Sequence, residues 1–413
     1  MPMIAKRYLS ILCLAERRFP TTQSFLGEVL AKIIPARGHL VRWIMQSEAP
    51  QKGIRRVRWH GSSVVVLPAR RRRSLPGKVI DWTLRTIDTI RWFNILVRAN
   101  RPDVVQVRND WVPGLWAVRI KRKYGIPFVF QFSRPGPDFQ FQKALNAPRL
   151  LRPVLYLRGH LERQLIHGIM KQADHILPVS EWMKTALAER GIPEGRMTAF
   201  PLGFNTEIAP DETSGQGIRE RFGLGRDPVI LYFGDLARLR KLDFLLRVMG
   251  RIVQTIPQAK LLIVGGSERS RDILNLQNEA RRMGLNPNVI FTGKVPREEI
   301  PHIVVASDVG VSPIPPLPIY WISSPTKLIE TMGMARPSIA NDIPDQRKVL
   351  EESGGGICVP YEEGPFAEAV IRLLSSPEEA RRMGRAGREY VERVRSYARM
   401  AEKLEALYFS LLA

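Results

Sequence analysis

At 413 residues the chain is too long for one hydrophobic core, and at 44% hydrophobic residues it is too apolar for disorder, so two domains are expected. Its two cysteines, Cys13 and Cys358, sit inside apolar runs; a disulfide scaffold and a zinc site are excluded and a reducing cytoplasm is implied. The net charge of +23, roughly +14 of it in the first hundred residues, points to nucleic acid or an anionic membrane as partner.

Residues 1–7 lead into an apolar run at 9–14, too short to span a bilayer and without a small-residue cleavage site, so no signal peptide is expected. A helix over 24–36 stops at Arg37-Gly38, and strands follow at 40–45 and 64–67. The run Arg70-Arg71-Arg72-Arg73 reads either as a phosphate grip or as a solvated loop. Two segments, 79–101 and 150–171, interleave arginine with apolar and aromatic residues, as interfacial helices do; core-facing helices would look similar. Strands at 104–108 and 128–133 deliver Arg108, Asp110 and Ser133 to a carboxyl edge. The polar stretch 210–225 suits a domain boundary.

The second half alternates strands at 230–234, 261–266, 289–293, 309–313, 338–340 and 356–359 with helices at 240–255, 270–284, 296–306 and 325–334. That order predicts a parallel sheet covered on both faces, with ligands beyond the carboxyl ends of its strands. Gly234 and Gly265-Gly266 would let a phosphate or base approach the backbone there. The segment Ser324-Pro325-Thr326-Lys327-Leu328-Ile329-Glu330 reads as a loop entering a helix. Its free N–H groups, with Ser324, Thr326 and the Lys327 charge, suit a diphosphate, and Glu330 on the same face suits ribose hydroxyls. The plainer alternative is a capped surface helix with a Lys-Glu pair.

Taken in order, Ala173 to Glu181, Pro201-Leu202-Gly203, Tyr232-Phe233-Gly234-Asp235-Leu236, Arg240 with Asp243, Leu262-Ile263-Val264-Gly265, Val289 to Pro296, Ala306-Ser307-Asp308-Val309 and the segment from Ser324 to Asp342 resemble the retaining glycosyltransferases of the GT-B fold, family four. The resemblance implies an α/β protein of two Rossmann-like, doubly wound parallel-sheet domains facing a central cleft. Residues 1–210 would bind the acceptor and 211–395 the nucleotide sugar, with a helix at 396–413 returning to the first domain. Lys294 and Val295 resemble the position flanking the nucleotide base. The chain departs from the pattern as well. It has a single Gly27 where many relatives have a glycine pair, and no histidine at Gln106, Arg108 or Ser133. Asp235 stands in place of an arginine, which Arg238 would replace, and Ile322 in place of the first of two glutamates.

Glycosyl transfer needs cations on the leaving diphosphate, and Arg240 and Lys327 can supply them. Arg108 is expected to act from the first domain, where Gly27, Asp110 and Ser133 would meet the acceptor; a strand-end ion pair is the structural alternative for Arg108 and Asp110. No Asp-x-Asp motif appears, and Asp342 and Asp345 are wrongly spaced, so neither a metal nor a cofactor is expected beyond the nucleoside diphosphate sugar itself. The proline-rich segment 315–321 would give a stiff, aromatic floor for a sugar. The expected acceptor is a lipid-linked or envelope glycan on the cytoplasmic face of an anionic membrane. No nucleic-acid reader is recognisable, so no specific nucleic acid is expected. The alternative from another class is a degenerate protein that binds nucleotide or glycan without turnover. The sequence leaves donor base, sugar, linkage and oligomeric state open.

Overall fold

The alternation of apolar runs and helices builds two parallel sheets in the computed structural model of the chain, which describes residues 8–413 except 22, 71–73, 135, 146 and 209–210, and omits the side chain of Leu75. Most of the Arg70–Arg73 run, the first seven residues and residue 210 at the expected boundary lie outside the described residues. One unit comprises Met1–Pro201 with Met400–Ala413, the other Leu202–Arg399. The division falls nine residues before the expected one. Phe204 accounts for this: its backbone pairs with Arg395 and Tyr397, and its ring covers Gly333, where a Cβ would come within 2.4 Å.

The first unit holds seven described strands, β1 (Ser10–Phe19), β2 (Leu40–Ser47), β3 (Arg55–Trp59), β4 (Ser62–Leu67), β5 (Val104–Arg108), β6 (Phe128–Phe132) and β7 (His175–Pro178), in the order β3-β4-β2-β1-β5-β6-β7. All pairings are parallel except that of the basic edge strand β3. Strands β5 and β6 are buried along their whole length, which is why they read as nearly unbroken apolar runs. The last helix, Tyr397–Ser410, sends the buried Tyr408 hydroxyl to the side-chain oxygen of Gln106 on β5. Its Glu405 accepts from Arg37 and meets His39 at 2.6 Å.

The second unit is an all-parallel sheet of β8 (Val229–Asp235), β9 (Lys260–Gly266), β10 (Val289–Gly293), β11 (Val309–Ser312), β12 (Ser338–Asn341) and β13 (Gly356–Val359), ordered β10-β9-β8-β11-β12-β13. The chain steps outward from β8 to β10, then returns to the other side of β8 with β11. The reversal opens a crevice beyond the carboxyl ends of β8 and β11. Alternate residues of β8 feed the two cores: Ile230 and Tyr232 pack with Leu245 and Phe366, while Leu231 and Phe233 pack with Leu328 and Met332. Each such burial stabilises the unit by about 1.5–3 kcal/mol and holds the end of β8 rigid.

Candidate functional site

At the end of β8, Gly234 adopts φ +135°, a conformation open to glycine, and leaves room for a side chain arriving from the helix Thr326–Gly333. That side chain is Lys327. Its Nζ stands 4.2 Å from the centroid of the Tyr232 ring and 3.8 Å from where a Gly234 Cβ would be. Burial, aided by the nearby Arg240 charge and opposed by Asp235 and Glu330, draws its pKa down to about 7. The ring face favours the cation, but no carboxylate neutralises it at contact distance among the described ion pairs.

Arg240 closes a short 3-10 turn, Arg238–Arg240, that follows β8. Its guanidinium lies 4.9 Å over the Tyr320 ring and 4.0 Å from the Asp235 carboxylate. Tyr320 is buried on the helix Pro318–Trp321, so the expected aromatic floor is in part a platform for Arg240; Trp321 is the ring left exposed. Arg238 is exposed, and its backbone N–H donates to Asp272.

One turn beyond Lys327, Glu330 accepts from Arg297 at 2.9 Å. Burial raises its carboxyl pKa, and Arg297 and Lys327 oppose the shift. Lys294 follows β10 with its stem lying across Gly266, where a Cβ would be 2.8 Å away, and Val295 packs on the core. The glycine and serine expectations at this edge are refined by the contacts. Gly265 is required by packing as well, since a Cβ there would sit 1.9 Å from the Gly234 carbonyl oxygen, so its being glycine does not by itself point to a phosphate. Ser324 does not cap the helix: the cap position is Pro325, and the buried Ser324 hydroxyl accepts from the Leu202 N–H. The proline shifts the helix start to Thr326, which offers its backbone at the first turn.

In the first unit the expected residues gather around Asn109, at φ +56° after β5. Arg108 is 3% exposed and donates to Glu16 at 2.8 Å, and burial lowers its pKa. Asn109 donates to the same Glu16 oxygen and to the Ser133 hydroxyl, and it accepts from the Ser133 N–H. Asp110 caps the helix Trp111–Tyr124 through the Val112 N–H and lies 4.0 Å from Arg85. Arg108 and Asp110 thus each take part in an ion pair at the end of β5, with Glu16 and Arg85. Gly27 lies in a π-type helix, Phe25–Ile33, 3.4 Å from Trp59 at its Cβ position.

The second-unit arrangement is a crevice with two cations, a free helix start and a carboxylate one turn deeper. Such an arrangement can accommodate an anion such as a diphosphate, with the carboxylate able to accept from hydroxyl groups. Among the described residues no group of three or more His, Cys, Asp or Glu side chains could hold a metal ion, and no helix is long and apolar enough to cross a membrane.

Two family models match the chain: a glycosyl transferase 4-like domain over residues 28–203 and glycosyl transferases group 1 over residues 227–376. The GDP-mannose-dependent alpha-(1-6)-phosphatidylinositol monomannoside mannosyltransferase of Mycolicibacterium smegmatis is 28% identical over 241 residues, covering 55% of this chain and 60% of that enzyme. The match therefore spans less than two thirds of that relative's length. Sucrose-phosphate synthase from Thermosynechococcus elongatus superposes with a TM-score of 0.75 at 19% identity, covering 98% of this chain and 99% of the other. Anabaena HepE, solved in complex with UDP, superposes at 0.72 with 14% identity, covering 97% and 100%. These likenesses establish the GT-B fold for the two parallel-sheet units.

Proposed function

Since the chain belongs to the group 1 glycosyl transferases, we propose that it moves a sugar from a nucleoside diphosphate sugar to a lipid-linked or envelope glycan, with retention of configuration and without a metal. The observation that carries this reading is Lys327, half-buried against Gly234 and Tyr232 with Arg240 nearby and Glu330 one turn away. A half-buried cation poised between charged and neutral is stabilised by a diphosphate, and it offsets charge growing on the leaving group. In the transfer, the bond from the anomeric carbon to the diphosphate oxygen breaks and its electron pair leaves with the phosphate. The acceptor hydroxyl oxygen bonds to that carbon, and its proton passes to a phosphate oxygen. Arg240 and Lys327 hold the diphosphate, Glu330 accepts from the ribose hydroxyls, and Lys294 and Val295 flank the base.

The nucleoside diphosphate is supported by the UDP in HepE and by the GDP-mannose in the name of the mycobacterial relative, and a membrane-borne acceptor by the phosphatidylinositol in that name. The basic first hundred residues favour an anionic cytoplasmic membrane face as the workplace. The test is release of free nucleotide from UDP-, GDP- and dTDP-sugars, followed with and without EDTA. Slow release from one donor, unaffected by EDTA and lost in Arg240→Ala, is expected. Binding without any release, with or without a glycan lipid extract, would replace this reading with a binding protein that lacks turnover.

A further inference from the structure

In the first unit the helices Gly136–Leu145 and Arg152–Gln172 pack as a hairpin with a filled inner seam. There the Phe141 ring lies 5.8 Å from Tyr156 and 5.0 Å from His160, and Arg163 bridges Phe141 and Asp138. Ile166, Ile169 and Met170 bury the far end of the second helix. The outer face is different. Leu145, Leu150, Val154, Leu157, Leu161 and Leu165 are all exposed, Leu150 at 91%. From Leu150 to Leu165 they recur every three or four residues, so they form one stripe along the helix. A helix that buries one apolar side and displays a second carries more apolar surface than its own unit uses.

The charges around the stripe are of one sign. Lys143, Arg149, Arg152, Arg158 and Lys171 are exposed, and the only carboxylate between residues 143 and 171, Glu162, is half-buried beside Gly136. We propose that this stripe and its basic rim are the surface by which the protein lies on an anionic lipid bilayer, with the leucines in the acyl boundary and the arginines among the headgroup phosphates. The proposal rests on the reading of the acceptor as membrane-borne and assigns the face that meets the lipid. Two copies of this chain meeting through the stripe would set like-charged rims against each other, whereas anionic headgroups neutralise them. A nucleic acid would satisfy the rim but leave the leucines in water. The helix Leu75–Ala99 also exposes Trp82 and Ile87.

The experiment is flotation of the purified full chain with vesicles of phosphatidylcholine alone and of phosphatidylcholine mixed with phosphatidylglycerol. Wild type is compared with Leu157→Glu/Leu161→Glu and with Arg149→Glu/Arg158→Glu. Wild type should float with the anionic vesicles only. Both variants should partition roughly tenfold or more weakly, with unchanged melting and unchanged nucleotide binding. Equal flotation of wild type and variants would overturn the assignment of this face. A wild-type dimer in sedimentation that becomes a monomer in the leucine variant, without vesicle binding by either, would make the stripe a self-association surface instead. Nucleotide binding, read on the same samples without lipid, keeps a failure of the docking face distinct from a failure of the glycosyl-transfer reading.

Discussion

The Lys327 ammonium rests 4.2 Å from the centroid of the Tyr232 ring, at the one place on β8 where Gly234 leaves the backbone open. Sequence separates these two residues by three strands, β9 to β11, and the helices between them. The fold brings them together because β8 is the strand at which the sheet order reverses, and the helix after β11 returns to that reversal. A cation there is expensive in the empty protein and useful in the occupied one.

The pKa of about 7 makes nucleotide binding pH-dependent. A bound diphosphate favours the charged form and raises that pKa, so the extra affinity is fully present below pH ~7 and declines as pH rises toward the bound pKa. Calorimetry at pH 7.5 in buffers of different ionisation enthalpy should show proton uptake, which Lys327→Met should abolish. Binding without proton exchange would contradict the assignment.

The same group acts oppositely on the empty fold. Its folded pKa lies below the unfolded lysine value of about 10.4, so the unfolded chain binds more protons between pH ~7 and ~10.4 and the Lys327 contribution to stability rises with pH across that window. Lys327→Met should therefore stabilise the unliganded protein near pH 7 by about 1–3 kcal/mol, while removing most of its nucleotide affinity. A urea melt showing the variant less stable would count against a buried cation here.

Arg240 depends on its aromatic platform. Tyr320→Ala should weaken nucleotide binding by about 1–2 kcal/mol by releasing the guanidinium, and Tyr320→Phe should restore it. Arg240→Lys keeps the charge but loses the planar fork, so it should not restore full affinity. Equal affinity across the three variants would place Arg240 outside the site.

Gly265 offers a stability test free of ligand. At φ +132°, with a Cβ position 1.9 Å from the Gly234 oxygen, Gly265→Ala should destabilise the second unit by more than about 3 kcal/mol. A loss under about 1 kcal/mol would show that β8 and β9 separate easily at their ends.

The second unit was largely legible because buried parallel strands are continuous apolar runs that end in glycine, and the three-residue spacing of Lys327 and Glu330 put both on one helix face. Strand β3 was not legible: its arginines at 55, 56 and 58 suit an exposed edge and break the apolar signal. Glu16 was missed because the charged run Glu16-Arg17-Arg18 looks like a loop, yet β1 continues through it to Phe19 with a register shift after Leu14. Asn109, Arg297 and Tyr320 act through partners remote in sequence, and no spacing rule reports them. Gly265 shows the limit of a glycine signal. Close approach by a neighbouring strand and close approach by a ligand demand the same residue.

The most direct test of a donor site at the end of β8 is a calorimetric titration of the protein with UDP, GDP and dTDP, alone and with EDTA, repeated on Lys327→Ala. One nucleotide should bind, EDTA should leave the affinity unchanged, and the variant should lose it. Binding of none of the three, or equal binding by the variant, would contradict a diphosphate site at the end of β8.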